Sequence, residues 1–185
     1  MLYCKRNLGD PIGKGTSRIV FQVTDYQVLK LALNQKGIAQ NEYEGRYDSY
    51  KSGLDIFPEV YKKAEDNSWL LSEYVLPAKP EDFKHCIGIS FKTWTKVVEK
   101  MGQDTRYSRY NIPTGITDEQ LIDLVENYPF VEEVYDFIGS YTDVPIGDMM
   151  RIANYGLAKR GGQAHIVLLD SGINEEIFNK YYRKG

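Results

Sequence analysis

The segment from Leu8 to Ala32 constrains the fold more than any other stretch, because it places a lysine inside an apolar strand. The run RIVFQV, which begins at Arg18, has the β-branched and aromatic content of a strand. The chain turns at Thr24-Asp25 and returns through YQVLKLAL, with Lys30 in the middle. An ammonium group buried in a sheet costs free energy unless an anion meets it. The segment predicts a hairpin with an anionic partner for Lys30, the alternative being an edge-strand lysine that reaches solvent.

Two glycines, Gly13 and Gly15, precede the first strand of this hairpin. Without a Cβ they let backbone N–H groups come close to a phosphate. The spacing does not match a Walker loop, and a dinucleotide fingerprint would be followed by a helix, not a strand. The hairpin is therefore predicted to fold over a phosphate group, and a plain tight turn remains the alternative.

The rest of the first 77 residues predicts a small antiparallel sheet with one helix. A polar segment at 34–53 favours a helix that ends at Gly53. FPEVYKKA and WLLSEYV then form a second hairpin around the turn residues EDNS, and the connector LPAKP follows it. The predicted inner face of the helix is Ile38, Tyr43, Tyr47 and Tyr50.

The second part of the chain, 78–185, reads as a mostly helical domain. Ser90 is a candidate N-cap for SFKTWTKVVEKMG, Thr117 and Gln120 stand in capping-box positions, and Pro129 begins a further helix. YGLA and AHIVLL are predicted strands joined by a Gly-Gly turn, and NEEIFNKYYRKG is a closing helix. The predicted fold class is α+β, with domains at 1–77 and 78–185.

Composition narrows the function without naming it. With 42% apolar and 26% charged residues the chain is globular, and its net charge of −3 gives no basic field for nucleic acid. Cys4 and Cys86 lack metal-ligand spacing, which favours a reducing compartment. No apolar run is long enough to span a membrane, and the N-terminus lacks a signal-like core. We expect a cytoplasmic protein.

The order of features resembles the protein-kinase-like superfamily from Leu8 to Gly172. A glycine-containing hairpin, a strand lysine, a helix glutamate, a strand ending in Glu73-Tyr74-Val75, a helical lobe, an Asp…Asn loop and a strand ending in Asp-Ser-Gly follow one another. The resemblance implies a two-lobed fold with a truncated helical C-lobe. Within the superfamily, the chain most resembles short, divergent proteins encoded by bacteriophages. The resemblance then implies a protein that acts in the host cytoplasm on a bacterial host protein.

The resemblance also implies which residues bind ATP. Gly13, Lys14 and Gly15 would cover the phosphates, with Arg18 standing where the family has a third glycine. Lys30 would contact the α- and β-phosphates and pair with Glu44 or Glu42. We favour Glu44, because Ala39-Gln40-Asn41 reads as the preceding turn. The backbone of Glu73 and Val75 would read the adenine.

The catalytic residues implied by the resemblance lie in the second part of the chain. Asp148, with Asp143 as an alternative, would orient the acceptor hydroxyl, and Arg151 would hold the γ-phosphate. Asn154 and Asp170 would bind Mg²⁺. The pattern departs from the family: Asn154 follows Asp148 by six residues instead of five, and the His-Arg pair is absent. Asp148 as a simple turn-capping residue remains open.

Further departures lie at Ser171, which replaces the family's phenylalanine, and after Asp170, where only fifteen residues follow. The resemblance then predicts no activation segment and no peptide groove of the familiar kind.

The leading hypothesis is an ATP- and Mg²⁺-dependent phosphotransferase that acts on a protein hydroxyl. One alternative is a catalytically inactive, pseudokinase-type binding protein. Another is a small-molecule kinase whose acidic acceptor pocket is formed by Glu126, Glu132, Glu133 and Asp136.

Overall fold

The structure, a computed structural model, describes residues 7–46, 55–104, 113–140, 146–169 and 175–181. The chain divides into two compact units, one comprising 1–76 with 170–185 and the other 77–169. The division expected from the sequence, 1–77 and 78–185, differs mainly in where it places the last residues. Within the described ranges no helix has the length and apolar character needed to cross a membrane.

The first unit contains a five-stranded antiparallel sheet in the order β1-β2-β3-β5-β4. Both hairpins predicted from the sequence are confirmed, since β2 pairs with β3 and β4 with β5. One helix, α1, follows β3. The elements are β1 (Gly13–Lys14), β2 (Arg18–Thr24), β3 (Gln27–Ala32), α1 (Gln35–Glu44), β4 (Val60–Lys63) and β5 (Trp69–Glu73).

The register of the sheet decides which side chains share a face. Lys30 lies opposite Val20 on one side and Leu70 on the other, and Arg18 lies opposite Ala32. Because side chains alternate along a strand, Arg18 and Lys30 lie on the same face of the sheet. β3 is the central strand, and Lys30 is only 8% exposed, so the edge-strand alternative for this lysine is wrong.

The N-cap of helix α1 is Asn34, whose side-chain oxygen accepts the backbone N–H of Gly37 at 3.2 Å. The helix ends at Glu44, with Gly45 as its C-cap, and not at Gly53 as the sequence predicted. The predicted inner face is confirmed at Tyr43, which is buried, but not at Ile38, which is only half-buried. Tyr47 and Tyr50 lie outside the described residues. The buried positions are Gly37, Gln40, Asn41, Tyr43 and Glu44.

The second unit combines helices with a small sheet in the order β6-β7-β8. The predicted helices at Phe91, Thr117 and Pro129 and the final hairpin are confirmed, with Gly161 and Gly162 at φ 56° and 82° in its turn. The elements are β6 (Leu76–Pro77), α2 (Pro80–Ile87), α3 (Phe91–Asp104), α4 (Asp118–Asn127), α5 (Pro129–Ser140), α6 (Ile146–Met149), a 3-10 turn (Ile152–Asn154), β7 (Tyr155–Arg160) and β8 (Gln163–Leu168).

Helix α2 was missed by the sequence interpretation, which assigned LPAKP to an extended connector and left the following residues unassigned. Its signals were a proline at the first helical position, Pro80, and two acidic residues in the first turn, Glu81 and Asp82. The predicted closing helix is present as α7 (Glu175–Tyr181), and it packs against α1 in the first unit. These elements confirm the α+β fold class: among the described residues, a small antiparallel sheet with helix α1 precedes a mostly helical part.

Candidate functional site

A buried cluster of three charges lies on the sheet face that α1 covers. Lys30 Nζ donates to Glu44 Oε1, and Arg18 Nη1 donates to Glu44 Oε2. The side chains are 11%, 14% and 4% exposed for Lys30, Arg18 and Glu44. Burial alone raises the pKa of Glu44, but the charges of Lys30 and Arg18 and their hydrogen bonds outweigh it and lower the pKa overall. Glu44 is therefore ionised at neutral pH.

The structure decides between the two glutamates considered for Lys30. Glu44 makes the contact, while Glu42 points to the exposed side of α1 and pairs with Arg46 at 2.7 Å. The role of the Lys30–Glu44 pair towards a nucleotide stays a prediction, but the pair itself is formed within the protein.

Close packing holds α1 near the sheet, at the distance that the Lys30–Glu44 pair requires. A Cβ added at Gly37 would lie 2.1 Å from the carbonyl oxygen of Ser17 and 3.0 Å from Ala32 Cα. Ser17 Oγ donates to Gln40 Oε1 at 2.5 Å, and Asn41 Nδ2 donates to the carbonyl of Asn67 at 2.9 Å. The buried face of α1 is polar because its side chains bind the loops and strands that surround it.

The glycine-containing loop lies in register with Lys30. Gly13 pairs with Val20, and Val20 pairs with Lys30, so the three residues lie side by side across β1, β2 and β3. Gly15 N–H donates to the carbonyl of Arg18 at 2.9 Å, which closes the turn. Among the described residues, a Cβ at Gly13 or Gly15 would come no closer than 3.8 Å to another atom of the protein. Lys14 is exposed. Packing within the protein therefore does not require glycine at these two positions.

The segment proposed to read adenine ends β5. The N–H of Glu73 donates to the carbonyl of Glu59 at 2.8 Å, and the N–H of Tyr74 donates to the carbonyl of Tyr26 at 2.8 Å. Both donors are thereby engaged in holding β5 to its neighbours. A backbone N–H that reads an adenine here would be that of Val75.

The predicted catalytic loop lies in the second unit and is closed by its own hydrogen bonds. Asn154 Nδ2 donates to the backbone carbonyl of Asp148 at 2.8 Å, and Arg151 Nη1 lies 3.6 Å from Asp148 Oδ1. Arg151 is 73% and Asp148 30% exposed at the side chain. The structure thus brings Asp148, Arg151 and Asn154 together. Asp143 and Asp170 lie outside the described residues.

Tyr155, the residue after this loop, fixes it to the core of the second unit. Its hydroxyl donates to the carbonyl of Met149 at 2.5 Å and accepts from Trp94 Nε1 at 2.7 Å. Burial raises the pKa of Tyr155, against a smaller lowering by Trp94, so the phenol stays protonated. Phe83 packs edge-on against the Tyr155 ring at 5.0 Å. Both ends of the loop are held by one buried side chain.

Sequence reasoning missed the contact between Arg18 and Glu44. It treated Arg18 only as the residue in place of a glycine. The signal was the register of the first hairpin, which places positions 18 and 30 on one face. Among the residues that the structure describes, no cluster of three or more His, Cys, Asp or Glu side chains offers a metal site. In the suggested acceptor pocket, Glu126, Glu132 and Asp136 are exposed on α4 and α5.

Comparison with known proteins gives little. No family model matches the chain, and no curated protein matches it. Among solved structures it is similar to an aminoglycoside phosphotransferase, the GDP and kanamycin complex of APH(2")-IIia, at 15% identity over 89% of this chain and 67% of that chain, with a TM-score of 0.36. The likeness carries no argument about a superfamily or about a bacteriophage origin. At this TM-score the overlap of the two backbones is too loose to assign a function.

Proposed function

We propose that the protein is a nucleotide-binding phosphotransferase of the protein-kinase-like type, which uses ATP and Mg²⁺. The observation that carries the proposal is the buried pair of Lys30 and Glu44 on the central strand, in register with Gly13. Strands are spaced about 4.8 Å apart, so Gly13 lies about 10 Å from Lys30 across two strand spacings. That span matches a chain of phosphates with the loop at one end and the lysine at the other.

The chemistry of Lys30 supports a role beyond packing. A buried lysine stabilises the fold less than an apolar residue of similar volume, because both charges of the pair lose their hydration. Its ammonium group has three donors. Glu44 accepts one of them, and the other donors are of the kind that α- and β-phosphate oxygens accept. Gly13, Lys14 and Gly15 would cover the phosphates with backbone N–H groups.

The loop from Asp148 to Asn154 would supply the remaining groups. Because Asn154 Nδ2 is engaged by the carbonyl of Asp148, the atom of this side chain suited to a cation is Oδ1. Oxygen atoms are the ligands that Mg²⁺ prefers, and Asp170 is the second proposed ligand. A bound Mg²⁺ would neutralise charge on the phosphates. Asp148 would orient an acceptor hydroxyl, and Arg151 would contact the γ-phosphate.

The binding step is tested by thermal denaturation with ATP, with and without Mg²⁺. A ligand that binds only the folded state raises the melting temperature as its concentration exceeds its dissociation constant. We expect a shift with Mg-ATP for the wild type and none for Lys30→Met. Lys62→Met is the matched control, since Lys62 is an exposed strand lysine on β4 and should leave the shift unchanged.

A shift that survives in Lys30→Met would refute the site, and so would equal losses in both lysine variants. Transfer is tested separately, with γ-labelled ATP and the protein alone or in bacterial lysate. Label on a protein hydroxyl supports the phosphotransferase and identifies a host protein as acceptor. Mg²⁺-dependent binding with no transfer would favour the pseudokinase alternative. That alternative is motivated by the spacing of six residues from Asp148 to Asn154, which departs from the family pattern.

A further inference from the structure

Arg18 joins the glycine-containing loop to helix α1. Its carbonyl oxygen accepts the N–H of Gly15 at 2.9 Å and closes the turn before β2. Its guanidinium group donates to Glu44 at the end of α1. One residue therefore contacts both the loop and the glutamate.

The two oxygens of the Glu44 carboxylate are divided between two cations. Oε1 accepts from Lys30 and Oε2 from Arg18. With its side chain only 4% exposed, Glu44 is stable as an anion only while a cation compensates it. If Lys30 were its sole partner, an incoming phosphate would compete with Glu44 for the same ammonium group. The second cation removes most of that competition.

We infer that Arg18 is a positioning residue for the phosphate-binding lysine, because it neutralises Glu44 from the second oxygen and leaves Lys30 able to turn its other donors to a nucleotide phosphate. The inference rests on the proposed function. Arg18 acts through Glu44 and does not contact the nucleotide itself. Its effect on ATP binding must therefore depend on the presence of the Glu44 carboxylate.

A double-mutant cycle on the affinity for Mg-ATP tests this dependence. Arg18→Gln should weaken binding about tenfold, the equivalent of losing one hydrogen bond to a charged group. Arg18→Lys should recover part of the affinity, since it keeps the charge with a shorter reach. In the Glu44→Gln background, Arg18→Gln should have no further effect. Arg46→Met is the control, because Arg46 pairs with Glu42 on the exposed side of α1 and should leave affinity unchanged.

Two results would overturn the inference: unchanged affinity in Arg18→Gln, or a loss that persists undiminished in the Glu44→Gln background, which would mean that Arg18 contacts the phosphates directly. If Arg18→Gln does not fold, Arg18→Lys replaces it in the cycle, with an expected loss of about threefold that disappears with Glu44→Gln. Failure of the proposed function is distinct. It would appear as absent binding in the wild type or as binding that survives in Lys30→Met, and it would overturn this inference as well.

Discussion

Among single residues, Glu44 is where burial and charge oppose each other most directly. Its surroundings remove water, which favours the neutral acid, while two cations favour the carboxylate and prevail. Its pKa is therefore lower in the folded chain than in the unfolded chain. A carboxyl group of this kind stabilises the fold fully above its unfolded pKa, and the contribution disappears as the pH falls through the folded pKa.

The first prediction concerns this pH dependence. At about pH 7, Glu44→Gln should lower the free energy of unfolding by about 3 kcal/mol, since it leaves two buried cations uncompensated. The difference from the wild type should begin to shrink as the pH falls below about 4.3, the ordinary glutamate value, because the unfolded wild-type chain then binds a proton that the folded chain does not. It should disappear once the pH has fallen through the lowered pKa of Glu44 in the folded chain. Urea unfolding of both proteins across this range measures the effect.

Glu42→Gln provides the comparison for this variant. Glu42 lies two residues away on the same helix, but its pair with Arg46 is 48% and 59% exposed. Exposed pairs contribute about 0–1 kcal/mol, so this variant should stay close to the wild type at every pH. A constant difference between wild type and Glu44→Gln down to strongly acid pH would show that the carboxylate does not supply the stabilisation.

At this scale the sequence predicted part of the cluster. Lys30 within the apolar run LKLA predicted an anionic partner, and Glu44 was favoured over Glu42 as that partner. The role of Arg18 was not predicted, because it depends on three conditions at once: the hairpin register, the face that α1 covers and the orientation of its last turn. The sequence states each of these only weakly.

Among the elements, α1 is seated unusually closely on the strands and loops around it. The second prediction is that Gly37→Ala lowers the free energy of unfolding by about 2–3 kcal/mol, since the new methyl group would lie 2.1 Å from a backbone oxygen that cannot rotate away. Moving α1 outward also separates Glu44 from Lys30. The Mg-ATP thermal shift should therefore fall together with stability.

Gly139→Ala is the matched control, because Gly139 also lies inside a helix, α5, and a Cβ there would have nothing within 4 Å. Alanine should stabilise this position by about 0.5–1 kcal/mol through its helix propensity. If both alanine variants are stabilised, Gly37 is not a packing requirement and α1 is free to adjust its position.

Element by element, strands were easier to predict than the helix beside them. β-branched and apolar residues mark β2 and β8, and a Gly-Gly turn marks the hairpin that joins β7 to β8. The inner face of α1 was assigned by apolar periodicity, which assumes that buried means apolar. That assumption fails here because Gln40, Asn41 and Glu44 are buried to bind polar partners. Helix α2 was missed because its helix-start signals follow directly on a connector read as extended.

At the scale of the whole molecule, the end of the described chain belongs with its beginning. Helix α7 packs against α1, and Ile177 on α7 is 7% exposed. The third prediction is that Ile177→Ala lowers the free energy of unfolding by about 2–4 kcal/mol, through lost burial and the cavity left behind. Because α7 packs against α1, Mg-ATP binding should weaken as well.

Ile122→Ala is the corresponding control. Ile122 also lies on a helix, α4, but is 57% exposed, so its removal should change stability by less than about 0.5 kcal/mol. Urea unfolding and Mg-ATP thermal shifts on both variants provide the measurement. Equal, small effects of the two substitutions would place α7 outside the cooperative core of the first unit.

The packing of α7 on α1 has a consequence for synthesis on the ribosome. Domains generally fold as they emerge, with the N-terminal part first. Here the strands of residues 13–73 emerge early, yet the helix at 175–181 that covers part of α1 emerges about a hundred residues later. During translation the surface of α1 that α7 covers stays uncovered until residues 175–181 have been synthesised. Helix α1, which carries Glu44, therefore acquires its packing against α7 only when synthesis has passed residue 181.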